Sequence, residues 1–298
     1  MNNKIKDNSF ILNIEQNVLN DINYRVKNSR VSNDFGNKDW KYGTEETYLK
    51  DLISYWLNHY DWKKQEKEIN KFSHYKIKID NIPIHFMYEK GSGENSKPLI
   101  LTHGWPWTFW DYQKVIGPLA HPEQYGGDIE QSFDVIVPSL PGYGFSTPLK
   151  ETGINFWRTS DLWVQLMTDI LGYKKFFAHG GDWGAAVTLQ LGHKYSEIVP
   201  AIHTHMAVPI DFVTNPHPDI SFYSDSEKKW HEKNMDFVTE GNGYFQIQAS
   251  RPQTLSYGLN DSPIGLLAWL IEKRRAWSDC KGNIESRFSK DDLINTAM

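Results

Sequence analysis

The chain has 298 residues, of which 39% are hydrophobic and 23% charged, and its formal net charge at pH 7 is -5. This length and hydrophobic content predict one large domain with a buried core and argue against overall disorder. Acidic and basic residues are interleaved, which argues against nucleic acid as a partner, and no apolar run reaches the roughly 18 to 20 residues of a membrane span. One cysteine, Cys280, and the lack of metal-ligand spacings predict a cytoplasmic protein without disulfide, metal or cofactor.

The first third of the chain combines helical and strand patterns. Residues 45–60, EETYLKDLISYWLNHY, carry apolar side chains at helical spacing, which predicts an amphipathic helix. Residues 74–88, HYKIKIDNIPIHFMY, alternate apolar and polar side chains around Asp80 and Asn81, which predicts a β-hairpin. The segment 91–97, GSGENSK, is a predicted surface loop.

From residue 98 the pattern changes to strands that alternate with helices. PLILTHG at 98–104 and FDVIVPSLPG at 133–142 are short apolar runs typical of buried strands, and we expect a loop region between them. SDLWVQLMTDILG predicts a helix that Ser160 caps and Gly172 ends.

The next segments extend the same alternation. KKFFAHGGDWGAAVTLQLGHKY at 174–195 predicts a strand, a tight turn and a helix, and EIVPAIHTHM at 197–206 predicts another strand. Beyond about residue 208 the pattern becomes helical, with Ser262 as an N-cap and Pro263 at the first helical position. Strands alternating with helices predict a mainly parallel sheet that is covered on both faces, with a site at the carboxyl ends of its strands.

The turn in GGDWG has the form G-x-D-x-G between a predicted strand and a predicted helix. This is the arrangement of a nucleophile elbow with Asp182 in place of serine, and Gly181 and Gly184 permit the sharp turn. A helix that starts at this point stabilises an ionised carboxylate. The alternative is that Asp182 is only an N-cap, which short acidic residues often are.

A second motif, HGWP, follows an earlier predicted strand. In an α/β-hydrolase this loop offers one backbone N-H to an oxyanion, from Trp105, and the residue after the nucleophile, Trp183, offers the other. His103 precedes the glycine of the motif, so we expect it to brace the loop rather than to transfer protons. Gly104 and Pro106 complete the motif.

Taken together, the motifs HGWP, PSLPGYGFS and GGDWG resemble those of epoxide hydrolases of the microsomal and juvenile-hormone type. The resemblance extends to YLKDLISYWLNHYDWKKQEKEIN near the amino terminus and to GYFQIQASRPQTLSYGLNDSPIGLLAWLIEKRRAWSD near the carboxyl terminus. It implies an α/β-hydrolase fold in three parts: an amino-terminal region with helices and the hairpin (1–97), a core with the elbow (98–207) and a helical lid (208–298).

The resemblance also implies a reaction. Asp182 would open an apolar epoxide as nucleophile and form a covalent ester, which water would hydrolyse to a diol while the N-H groups of Trp105 and Trp183 stabilise the oxyanion. Tyr244 would donate the proton to the epoxide oxygen, although it could instead be an ordinary half-buried lid aromatic. Trp107, with the other two tryptophans, would line the pocket or simply fill the core.

The sequence departs from the family at its carboxyl end. Family members hydrolyse the ester with a His-acid pair on loops after the last two strands, and the resemblance implies that these strands and this pair are absent from a chain ending in SRFSKDDLINTAM. We therefore expect an amino-terminal fragment with doubtful turnover, and self-association through an exposed sheet edge. Among the eleven histidines, His205 is the best placed to substitute, but strand-end histidines are usually structural.

Two other functions remain open from the sequence. A haloalkane dehalogenase also uses an aspartate nucleophile followed by tryptophan, although the amino-terminal helical segment and Tyr244 argue against it. The third hypothesis is an inactive fragment or a module that binds an apolar ligand.

Overall fold

The computed structural model of the protein describes residues 7–206 and 218–298. They form two compact units, each built from two stretches of chain. The first unit contains residues 7–13 and 62–206, and the second contains 14–61 and 218–298. The boundaries of these units differ from the boundaries predicted after residues 97 and 207. The division into three parts therefore remains a prediction about sequence segments.

The first unit is built around a seven-stranded sheet with the order β1-β2-β3-β5-β4-β6-β7. Strands β1, β2, β3 and β5 pair antiparallel, whereas β5, β4, β6 and β7 pair parallel. The strands are β1 Ser9–Phe10, β2 Ser73–Ile79, β3 Ile82–Glu89, β4 Lys97–Thr102, β5 Phe133–Pro138, β6 Phe177–Gly180 and β7 Ile202–Thr204.

Helices belong to both units. The α-helices of the described residues are α1 Gln16–Lys27, α2 Glu46–Asn58, α3 Trp62–Ile69, α4 Gln113–Ala120, α5 Phe156–Gln165, α6 Trp183–Lys194, α7 Lys228–Asp236, α8 Gly243–Ser250, α9 Pro252–Asp261, α10 Pro263–Ala276 and α11 Lys290–Asn295. Helices α3 to α6 lie in the first unit and the others in the second. None of the helices within the described ranges is long and apolar enough to cross a membrane.

The hairpin and the strand-turn-helix segment are confirmed. Strands β2 and β3 are joined at Asp80 and Asn81, whose φ values of 48° and 65° are left-handed, as a two-residue hairpin turn requires. Strand β6, the turn at Asp182 and helix α6 follow in the predicted order. The predicted strand at 197–206 is confirmed but short, since only Ile202–Thr204 pairs with β6.

Two local predictions were wrong. The predicted loop region after β4 contains helix α4, which forms despite Pro118 because Ile116 and Ala120 are buried on one face. Helix α5 begins before Ser160, because the side chain of Asn155 already accepts a hydrogen bond from the Arg158 N-H at 3.0 Å. A capping acceptor one turn earlier satisfies the free N-H groups, which leaves Ser160 buried inside the helix.

Each unit has its own apolar core. In the first, side chains of the sheet such as Phe86, Ile100 and Ile136 pack with Trp163 of α5 and Leu191 of α6, all of them fully buried. In the second, helices from both ends of the chain share one core of buried residues: Val26, Leu49, Leu52, Trp56, Ile264, Leu267, Ile271, Ile284, Leu293 and Ile294. The amino-terminal helices α1 and α2 therefore form a unit with the carboxyl-terminal helices because their apolar faces are buried together.

Candidate active site

Asp182 occupies a strained turn between β6 and α6. Its φ of 55° and ψ of -127° lie in a region that residues with a side chain rarely adopt. The glycines around it permit close packing: a Cβ on Gly180 would lie 2.2 Å from the carbonyl oxygen of Gly184, and a Cβ on Gly184 would lie 1.9 Å from that of Thr102. The glycines therefore allow α6 to begin directly against the end of β4.

The Asp182 carboxylate is bound by backbone N-H groups of two different segments. Its Oδ1 accepts a hydrogen bond of 2.7 Å from the Trp105 N-H, and the Trp183 N-H also donates to the carboxylate. Beyond the N-H of Trp183, the side chain makes no capping hydrogen bond to the first turn of α6. The alternative in which Asp182 serves only as an N-cap therefore does not describe this side chain.

Gly104 makes the approach of the carboxylate possible. A Cβ at this position would lie 2.3 Å from Oδ1 and 2.4 Å from Cβ of Asp182, closer than nonbonded atoms can come. Trp107 N-H donates to the Gly104 carbonyl at 3.0 Å, which closes the turn that presents the Trp105 N-H. The HGWP motif thus contributes two features to the site. Gly104 has no side chain, which lets the carboxylate approach, and the Trp105 N-H donates a hydrogen bond to it.

Burial raises the pKa of Asp182 above its ordinary value. The hydrogen bonds from the Trp183 and Trp105 N-H groups and the charge of His205 act in the opposite direction. The start of a helix was expected to favour the ionised form, and its N-H donor does so, but desolvation is the largest effect. A carboxylate that is only partly solvated is a stronger nucleophile toward carbon.

His103 braces the loop and carries no proton to the site. Leu140 N-H donates to its Nε2 at 3.0 Å, so Nδ1 holds the proton and donates to the Gly104 carbonyl at 3.1 Å. Burial lowers the pKa of His103 to about 4, which keeps the ring neutral at neutral pH. The ring therefore ties the loop after β5 to the loop after β4.

Sequence reasoning gave no role to Tyr143, which faces the site from the loop after β5. Its ring lies edge-on to His103, with 5.5 Å between the ring centroids. Burial, and then the negative charge of Asp182, raise the pKa of the Tyr143 hydroxyl, so that it stays protonated. Its motif, PSLPGYGFS, indicates the family but does not show that Tyr143 lies near Asp182. The sheet order brings this loop to the elbow, and the motif does not contain that order.

The other predicted site residues are divided between the two units. Trp183 begins α6 and is 44% exposed, whereas Trp105 and Trp107 are half-buried. Tyr244 lies in α8 of the second unit, half-buried, with its ring 5.1 Å from that of Trp277 and the Lys273 Nζ 4.9 Å from its centroid. Its role as proton donor stays a prediction.

Two protein families match the chain. The family described as "Epoxide hydrolase N terminus" matches residues 8–112, and the family described as "alpha/beta hydrolase fold" matches residues 97–244. The second match contains both the HGWP motif and the elbow.

Known proteins resemble the chain over most of its length. Epoxide hydrolase 1 of Oryctolagus cuniculus is 33% identical over 305 residues, which cover 94% of this chain and 66% of the relative. Juvenile hormone epoxide hydrolase 2 of Ctenocephalides felis is 30% identical over 307 residues, which cover 97% of this chain and 65% of the relative. The chain thus spans slightly less than two thirds of the length of these curated relatives.

Solved structures agree with these relatives. The crystal structure of the juvenile hormone epoxide hydrolase from the silkworm Bombyx mori superposes with a TM-score of 0.85 at 27% identity, over 98% of this chain and 72% of that one. The Aspergillus niger epoxide hydrolase gives a TM-score of 0.83 at 26% identity, over 97% and 73%. The predicted fold is confirmed, and this chain, with its aspartate elbow and its HGWP loop, belongs to the epoxide hydrolase family of the α/β-hydrolase fold.

Proposed function

We propose that the chain performs the alkylation chemistry of an epoxide hydrolase, with Asp182 as the nucleophile. The observation that carries the proposal is the carboxylate itself, which is raised on a strained turn with Oδ1 held 2.7 Å from the Trp105 N-H. A side chain held in this way has one oxygen, Oδ1, fixed by a backbone donor. Strain at a single sharp turn is typical of catalytic nucleophiles.

In the first step, a carboxylate oxygen of Asp182 forms a bond to one epoxide carbon. The bond from that carbon to the ring oxygen breaks, and its electron pair stays on the oxygen, which takes a proton from an acid. Following the family resemblance, we assign this acid to the hydroxyl of Tyr244. The product is a hydroxyalkyl ester of Asp182.

In the second step, water attacks the carbonyl carbon of the ester. The carbonyl oxygen becomes an oxyanion, which the N-H groups of Trp105 and Trp183 stabilise. When the intermediate collapses, the bond to the alkoxide oxygen breaks and this oxygen takes one proton of the water, which releases the diol. The other proton of the water returns to the phenolate of Tyr244, and the carboxylate is restored. Oδ1 already accepts a hydrogen bond from the Trp105 N-H, so an oxyanion that develops on Oδ1 has this donor in place. The donors therefore need no rearrangement between the two steps.

The ester is a covalent intermediate, and an acid quench during the reaction traps it on the protein.

Mass spectrometry tests this function. Incubation of the protein with styrene oxide should add one epoxide mass, located on the peptide that contains Asp182, and Asp182→Asn should remove the adduct. The exposed Asp169 provides a matched control, because Asp169→Asn should leave the adduct unchanged. Folded protein that stays unmodified would contradict the proposal, and halide release from a haloalkane would instead favour the dehalogenase alternative.

Isotope labelling separates this mechanism from direct attack of water on the epoxide. In a single turnover in 18O-labelled water, the label should enter the Asp182 carboxyl group, and the first diol should carry none. Label in the first diol would mean that water opens the ring without the ester.

The small apolar epoxide and water are the proposed partners, and the cytoplasmic location remains a prediction.

We also propose that β7 mediates self-association. It is the last strand in the sheet order of the described residues, and a free edge can pair with a second chain. Light scattering should detect dimers or larger species, and Ile202→Lys should reduce them by placing a charge on the edge. A monomer at high concentration would contradict this proposal.

A further inference from the structure

His205 lies directly beside the elbow, although the sequence places it on a different strand. The parallel register pairs Gly180 with Thr204, so the next residues, Gly181 and His205, come level with each other. A Cβ on Gly181 would lie 1.9 Å from Nε2 and 2.0 Å from Cε1 of His205. The imidazole therefore occupies the space that any side chain at position 181 would need.

The imidazole of His205 is exposed and has one ring neighbour on β6. The ring of His205 lies at 5.4 Å from that of His179, with 37° between the ring planes. His179 in turn stacks on His203 at 4.9 Å, and their Nδ1 atoms are 2.8 Å apart. His205 thus lies next to the residue that precedes Asp182, and its contact with β6 runs through His179.

An ionised carboxylate at this position needs neighbouring groups that offset the free-energy cost of its burial. Burial raises the pKa of Asp182, whereas the Trp183 and Trp105 N-H groups and the charge of His205 lower it. An opposite charge nearby favours the ionised form of a carboxyl group. In the pH range in which carboxyl groups lose their proton, an imidazole ordinarily carries its positive charge.

We infer that His205 is a positioning residue for the reaction of Asp182, because its imidazole, held against the elbow, supplies a positive charge that keeps the carboxylate ionised and able to attack carbon. This inference rests on the proposed function. His205 forms no bond to the substrate and transfers no proton in this step. After the ester has formed, Asp182 is neutral and the attraction ends.

The other titratable groups that face these two residues do not supply the charge. Tyr143 faces Asp182 and stays neutral, since burial raises the pKa of its hydroxyl. His103 has a pKa of about 4 because of burial and carries little charge above about pH 5. Burial, and then the charges of His203 and His205, lower the pKa of His179.

The test compares His205→Gln with His203→Gln, a control within β7 that lies further from the elbow. The titration midpoint of Asp182 is measured by 13C NMR on protein labelled in its aspartates, with Asp182→Asn identifying the signal. The rate of adduct formation with styrene oxide is measured across the same pH range.

We expect His205→Gln to move the Asp182 midpoint, and the acid limb of the alkylation rate, up by about one pH unit. Alkylation should then be about tenfold slower in the acid range and unchanged at high pH. His205→Lys, which restores a positive charge, should return the midpoint toward the original value. His203→Gln should leave both measurements unchanged.

A midpoint in His205→Gln equal to that of the original protein would overturn the inference. If the original protein forms no adduct, the proposed function fails, and the NMR midpoint still decides the role of His205. If His205→Gln does not fold, as judged by circular dichroism, His205→Asn serves as the neutral variant in the same titration. An unchanged midpoint there would equally overturn the inference.

Discussion

The Trp105 N-H donates a hydrogen bond of 2.7 Å to Oδ1 of Asp182, across 77 positions of sequence. This contact joins the loop after β4 to the start of α6, because β4 and β6 are neighbouring parallel strands whose carboxyl ends meet at one edge. Gly104 permits the contact, and His103 braces the loop that makes it. The candidate site is therefore a junction of two loops.

Replacing Gly104 with alanine should disable the site while the core remains folded. The added Cβ would lie 2.3 Å from Oδ1 of Asp182, so the loop and the carboxylate must separate and the Trp105 donor is lost. Displacing a reacting group by about 1 Å typically costs about 100-fold in rate. We expect a decrease of about this size in single-turnover adduct formation.

A glycine with open space around it provides the control for this prediction. An added Cβ on Gly258 in α9 would meet no atom within 4 Å, so Gly258→Ala should leave the rate unchanged. Normal adduct formation in Gly104→Ala would show that the contact between the two loops is not needed for reaction.

Replacing Asp182 with asparagine should raise thermal stability at pH 7 while it abolishes the adduct. Burial raises the pKa of Asp182 in the folded state above its unfolded value, so ionisation at neutral pH costs folding free energy, and this cost disappears as the pH falls. Asparagine removes the charge, and it tolerates positive φ. Thermal unfolding at pH 7 checks the direction, and a lower melting temperature for Asp182→Asn would contradict it.

Stability should fall with acid because of a buried histidine pair. Ser139 Oγ-H donates to His85 Nδ1 at 2.9 Å, His85 Nε2-H donates to His74 Nδ1 at 3.0 Å, and His74 Nε2-H donates to the Ile69 carbonyl at 2.8 Å. The Ile69 carbonyl, which only accepts, sets the direction of this chain of hydrogen bonds, and each of the two rings carries one proton in it. Burial lowers the pKa of His74, and burial together with the charge of His74 lowers that of His85.

The direction of the pH dependence follows from these lowered pKa values. The unfolded chain binds protons on these histidines at a higher pH than the folded chain, so their contribution is intact above about pH 6.5 and is lost as the pH falls below it. Urea unfolding midpoints from pH 8 to pH 5 check this expectation. The double replacement of His74 and His85 with leucine should flatten the dependence, and an equally steep dependence in that variant would contradict the assignment.

Replacing Ser262 with alanine should destabilise the second unit by about 1 kcal/mol. The Ser262 Oγ accepts a hydrogen bond from the Gly265 N-H at 2.9 Å and caps α10, whose residues Leu267 and Ile271 are fully buried. Urea unfolding measures the change. Ser256→Ala is the control, because its hydroxyl only donates to the Gln253 carbonyl within α9, and an equal loss in both variants would exclude a specific capping effect.

Helix starts with one clear capping residue could be predicted from the sequence. Helix starts that depend on which residue is buried could not. The cap at Ser262 was found from sequence, because capping involves residues three positions apart. The start of α5 was misplaced because Asn155 and Ser160 are both acceptable caps. The choice between them is made by tertiary packing, which buries Ser160.

The sequence by itself determined the chemistry of the elbow. GGDWG and HGWP specify an acidic side chain between glycines and a loop with a free N-H, and both follow from spacing within a few residues. Only the tertiary structure decided which groups surround that carboxylate. Tyr143 comes to Asp182 from the loop after β5, and His205 comes from the residue after β7. Their approach depends on sheet order and register, which the residue pattern of one segment does not reveal.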